Sequence, residues 1–199
     1  MKKLFGTKAF YLLVLMTLVN LPATLHAEQQ SRDVKALFLY NFANFVRWPT
    51  EAFANSPDSL KMCIFGAADL GVFLDQVNGT RIRDKELNVI RTSEMKDIES
   101  GCHVLFVSAE KQSFLPKLIN AIQHIYVLSV SDVEDFARSG GVISILRTSD
   151  KLSFEINLDT ALKNGLLISS DLLSMARIVG RGGKPVQTDE LGPDDRLLR

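Results

Sequence analysis

Beyond residue 27 the chain has no hydrophobic run long enough to cross a bilayer, no internal repeat and no basic stripe. A spanning helix needs about 20 apolar residues, so direct membrane insertion of that part is excluded. Lys and Arg number 23, as do Asp and Glu, and this balance excludes the footprint of a nucleic-acid-binding domain. Histidine is nearly absent: only His103 and His124 lie beyond residue 27. Cysteine is limited to Cys63 and Cys102.

What is present begins with a leader. Lys2, Lys3 and Lys8 precede an apolar stretch from Ala9 to Leu21, broken only by Thr17 and Asn20. Pro22 follows, and Leu25-His26-Ala27 offers a small residue for a peptidase to cut behind. The pattern predicts a secretory signal peptide over residues 1–27, cleaved near Ala27, and a periplasmic protein. Loss of its three lysines leaves 20 basic against 23 acidic side chains, a net charge near −3. Residues 28–179 fit one domain of ordinary size. After Gly180 the composition turns to Gly, Pro, Asp and Arg, which predicts a disordered tail over residues 180–199.

Hydrophobic spacing predicts a first helix over Ser31–Trp48, with Ser31 or Asp33 as its cap and Pro49 as its stop. From Leu60, short apolar runs alternate with amphipathic segments. Strands are expected at Lys61–Phe65, Leu87–Arg91, His103–Val107 and Ile125–Val130. Helices are expected at Asp69–Val77, Glu94–Ser100, Glu110–Gln123 (starting at Leu115 if Pro116 breaks it) and Asp132–Ser139. Ser131 and Glu134 have capping-box spacing for the last of these. Val142–Arg147 and Lys151–Ile156, joined by Thr148-Ser149-Asp150, read as a hairpin, and Leu158–Asn164 and Asp171–Val179 as closing helices. The fold class is therefore α/β: a mostly parallel sheet flanked by helices, with an antiparallel hairpin near the C-terminus.

In such a sheet, ligands bind outside the carboxyl ends of the strands. Gly66, Asp69 and Gly71 after the first strand, Ser108 and Glu110 after the third, and Ser131 and Asp132 after the fourth make up that rim. Gly66-Ala-Ala-Asp-Leu-Gly71 has neither the Lys-Ser/Thr of a P-loop nor the third glycine of a dinucleotide fingerprint. His103 and His124 precede their strands, so they fall on the rim opposite Ser108 and Ser131, and no Gly-x-Ser-x-Gly elbow is present. Two separated histidines without clustered carboxylates make no metal ligand set. The residues thus offer no catalytic constellation, and no cofactor or metal is expected. In an exported chain the two cysteines read first as a disulfide, with two separately buried thiols as the alternative. In a strand order 2-1-3-4 their strands are neighbours, which puts Cys63 and Cys102 within bridging reach.

Across residues 34–179 the sequence resembles the YfiR-like family of periplasmic regulators. The likeness is carried by Lys35-Ala-x-x-Leu39-Tyr-Asn-Phe42, Phe45-Val-x-Trp48-Pro49, Cys63-Ile-Phe-Gly66 and Gly101-Cys102-His-Val-Leu-Phe-Val-Ser108. Val130-Ser-Asp132, Gly140-Gly141, Phe154-Glu-Ile-Asn157 and Gly165-Leu continue it in order. The resemblance implies a binding protein and not an enzyme. Its partner would be the periplasmic part of a membrane-bound diguanylate cyclase or related sensor, which it represses, lowering cyclic di-GMP and biofilm formation. It also implies a structural Cys63–Cys102 disulfide. Oligomeric state, a homodimer included, stays open. A docking surface needs desolvated apolar anchors, and Trp48, Pro49 and Phe53, just past the first helix, are the candidates. The plain alternative is that Trp48 plugs the helix end. A small-ligand sensor using the Gly66, Asp69, Ser108 and Asp132 rim is the rival function.

Overall fold

The computed structural model describes residues 22–66, 70, 72–147 and 152–180, with side chains from Asp33 onward. The first helix, α1 (Pro22–Phe45), runs well upstream of Ser31, so neither Ser31 nor Asp33 caps it. It ends three residues before Trp48 because Val46–Arg47 is extended as β1 and pairs antiparallel with β9 (Leu167–Ile168). The leader before Pro22, Asp69, the turn 148–150 and the tail beyond Gly180 lie outside the described residues.

Eight strands form the main sheet in the order β10-β8-β7-β6-β5-β2-β4-β3. Its parallel centre is β4 (Lys85–Thr92), β2 (Ser59–Phe65), β5 (Val104–Val107) and β6 (Leu128–Ser131), continued by β7 (Ile143–Arg147). The predicted 2-1-3-4 order is this centre. β7 and β8 (Leu152–Asn157) form the antiparallel hairpin, and β3 (Arg81–Ile82) folds back on β4.

Strands in a parallel sheet are buried on both faces and read as continuous apolar runs. Here the two faces separate by alternation. Met62, Ile64, Val104 and Phe106 join one core with Ala36, Leu39, Phe42 and Ala43 of α1. Cys63, Phe65, Leu105 and Val107 join the other. That second face is covered by Ile98 of α3 (Met95–Glu99) and by Leu115, Leu118 and Ile119 of α4 (Leu115–Ala121). Pro116 is tolerated because α4 begins beside it, where an N–H would have no partner in any case. Residues Ala109–Phe114 form a 3-10 turn in front of α4.

Three further expectations fail. Residues 132–139 form successive turns, not a helix. The Ser131 hydroxyl donates to Val107 O and accepts from Val133 N–H, which consumes the supposed cap. Asp135 takes φ +55°, which no helix allows, and Phe136 plunges into the second core. The fourth strand starts at Leu128, not Ile125, because His124 and Tyr126 have φ of +65° and +58°. Finally, only Ser170–Met175 of the last segment is helical, as α6; Arg177–Val179 is β10, parallel to β8. Between them, α5 (Leu158–Lys163) is capped by Asn157, whose carboxamide oxygen accepts from Thr160 N–H. A short α2 (Phe73–Val77) follows β2.

Candidate functional site

A disulfide joins Cys63 to Cys102, with Cα atoms 5.9 Å apart. Cys63 is central in β2, and Cys102 follows the end of α3 immediately before β5. Both are buried in the second core. The bridge therefore ties the two central strands on the face away from α1.

The rim at the carboxyl ends of β2 and β5 is filled by the chain itself. Gly66 adopts φ +101°, and a Cβ there would lie 2.8 Å from Glu110 Oε1 and 3.1 Å from Ser108 Cβ. Gly66 and Ser108 are thus brought together, but the space between them belongs to the 3-10 turn that Ser108 opens. Asp132 follows the adjacent strand end, since Val107 pairs with Ser131. Its carboxylate takes a 2.5 Å ion pair from Lys35 of α1, fastening that helix to the rim. Asp69 lies outside the described residues. Among the described residues no group of histidine, cysteine and acidic side chains could hold a metal ion.

Trp48 and Phe53 do converge. They wall a cavity of about 190 Å³ between the end of α1, β1 and the β3–β4 edge. Ala43, Val46, Leu60 and Ile82 supply its apolar lining, and all four are buried. Arg47, Arg83 and Lys85 bring three cations to it, against one carboxylate, Asp84. Lys85 donates to Asp84 at 2.7 Å, and this bond holds the exposed Asp84 carboxyl below its ordinary range. Arg83 donates to the backbone oxygen of Asn44, at the last turn of α1. Arg47 has no ion-pair partner among the described residues. The indole N–H of Trp48 is buried and has no acceptor among the described residues, an omission that most buried donors avoid. Pro49 is not among the cavity's lining; it packs beside Gly165, where a Cβ would sit 3.6 Å from its ring.

His103 explains how Phe53 is held. Lys61 N–H donates to Nδ1 at 2.9 Å, so Nδ1 is the unprotonated nitrogen, and Nε2–H donates to Ala52 O at 3.0 Å. The imidazole also stacks on Phe53, with ring centroids 4.5 Å apart. Burial pushes the His103 pKa below its ordinary value, with the bond to Ala52 opposing it. His103 is therefore a neutral tether between the sheet and the 3-10 turn Thr50–Phe53. Lys85 Nζ lies 5.0 Å from the Phe53 ring centroid, and both residues line the cavity.

Sequence reasoning missed Arg47, Ile82, Arg83 and Lys85. The run Arg81-Ile-Arg-Asp-Lys85 was legible as a charge cluster, but nothing local says that β3 folds back on β4 beside Trp48. It also missed Glu155, a buried acid on β8 that Arg138 grips through two bonds of 2.7 and 3.1 Å and Arg177 through a third. Its partners lie far off in sequence, on a turn and on a strand that the sequence reading placed in helices.

Two comparisons bear on this arrangement. A solved structure described as an ABC domain in complex with L-Trp from Streptococcus pneumonia aligns at a TM-score of 0.47 and 10% identity. The alignment covers 71% of this chain and 61% of that one, so the chain spans about three fifths of its length. A likeness of that size carries no functional argument. The other comparison covers nearly the whole described domain, from within α1 to the start of β10: the family model described as YfiR/HmsC-like matches residues 32–177. The chain belongs to the YfiR/HmsC-like family, whose members are periplasmic regulators of diguanylate cyclase signalling.

Proposed function

We propose that this protein is exported, docks on the periplasmic part of an inner-membrane diguanylate cyclase and holds it inactive. The family match over residues 32–177 carries this reading. Two features of the chain support it. No helix among the described residues is long and apolar enough to cross a membrane, which suits a partner that acts from one side of it. The buried disulfide suits an oxidising compartment.

The mechanism is an equilibrium of binding and needs no turnover. A regulator that binds the inactive form of the cyclase more tightly than the active form shifts the population toward the inactive one, by as much as its affinities differ. Loss of the regulator then releases cyclic di-GMP synthesis. Deleting the gene should raise cellular cyclic di-GMP and surface attachment. Unchanged cyclic di-GMP in the deletion strain, across several growth conditions, contradicts the proposal.

A further inference from the structure

We infer that the Trp48 cavity is the seat of an acidic, apolar-anchored segment of the partner protein, an inference that rests on the docking function proposed above. The chemistry of the lining decides the occupant. Trp48 and Phe53 form aromatic walls over a buried aliphatic floor, a setting that accepts one aromatic or branched side chain. Around it stand Arg47, Arg83 and Lys85 with only Asp84 to oppose them. Asp84 is taken up by Lys85, which leaves the charges of Arg47 and Arg83 for an incoming group. This cationic spot sits on a chain whose acidic residues outnumber its basic ones beyond residue 27. Like charges facing it cost several kcal/mol, so a basic segment is refused and an acidic one selected.

The apolar surface also runs past the cavity. Leu167 pairs in register with Arg47 across β1 and β9 and is 46% exposed. A contact that starts between Trp48 and Phe53 and continues onto Leu167 is wider than a small molecule needs and suits a protein surface with a buried anchor and charged rim.

The test places a photocrosslinking amino acid at Leu167 in the full-length, secreted chain, in its own cells, with the exposed Phe114, whose ring meets Phe65 of the second core face, as the control position. The crosslinked peptide is then sequenced by mass spectrometry. The expected product at 167 is a segment of another protein in which Asp and Glu outnumber Lys and Arg around an aromatic or aliphatic residue. Arg47→Glu should cut its yield about tenfold, equivalent to about 1.4 kcal/mol, and Arg47→Lys should keep it. A neutral or basic segment, a second copy of this chain, a yield indifferent to Arg47→Glu, or no crosslink at 167 would each overturn the inference. The two readings fail separately. An acidic segment from an envelope protein other than a cyclase keeps the cavity's assignment and rejects the cyclase. Intact control of cyclic di-GMP with crosslinks only at 114 keeps the function and rejects the cavity.

Discussion

His103 is 2% exposed and uses both ring nitrogens, one as acceptor from Lys61 and one as donor to Ala52. Protonating Nδ1 would set two N–H groups against each other, which with burial is why the neutral form is held. The sign of the pH effect follows. In the unfolded chain His103 titrates near its ordinary value of about 6.5; in the folded chain it titrates lower. Its contribution to stability is complete above about pH 6.5 and falls as acidification passes from there to the folded pKa, where the unfolded chain takes the proton first. Melting temperatures at about pH 7.5 and about pH 5.5 should differ more for the native protein than for His103→Gln; equal differences would contradict the tether. Gly141 offers a second single-residue test. A Cβ there would come within 2.1–2.5 Å of the Phe136 ring, which is fully buried and has no room to yield. Gly141→Ala should therefore destabilise by about 1–3 kcal/mol, the usual cost of overpacking, measured by denaturant unfolding; an unchanged midpoint would mean that the turn 132–139 can shift.

At the scale of elements, the disulfide is the strongest single constraint. It closes a separation of 39 residues, which the chain-entropy account values at about 4 kcal/mol. Replacing both cysteines by alanine should cost about 2–5 kcal/mol while leaving the sheet formed. An unchanged melting curve would show that the bridge does not form in the exported protein. The central strands were legible because their apolar runs are short, regularly spaced and separated by amphipathic helices, the pattern of a parallel sheet. A 2-1-3-4 strand order makes the strands of Cys63 and Cys102 neighbours, but their register, and so the bridge itself, is set by the fold. What local pattern could not show is a choice made by distant partners. Residues 132–139 have helical spacing, yet buried polar groups elsewhere claim their backbone: Ser144 Oγ accepts from Ala137 N–H, and Asn157 donates to Ala137 O. Likewise, Asn164 bonds His124 N–H and Val127 O, holding 124–127 in a loop that its β-branched and aromatic residues do not announce. The candidate site was half legible for the same reason. Trp48 and Phe53 stand out as aromatics after a helix, whereas the cations opposite them arrive through the fold-back of β3.

For the whole molecule, a two-faced α/β domain, braced on one face by α1 and on the other by a disulfide, is proposed to meet a membrane partner from the periplasm. On that proposal, position relative to the membrane is part of the mechanism, because a docking protein on the wrong side cannot reach its surface. The most direct measurement is cyclic di-GMP in a deletion strain supplied with three versions of the gene: the full chain, residues 28–199 alone, and residues 28–199 behind an unrelated export signal. The account predicts that the first and third restore a low level and the second leaves it high. Equal restoration by residues 28–199 without any export signal would contradict it.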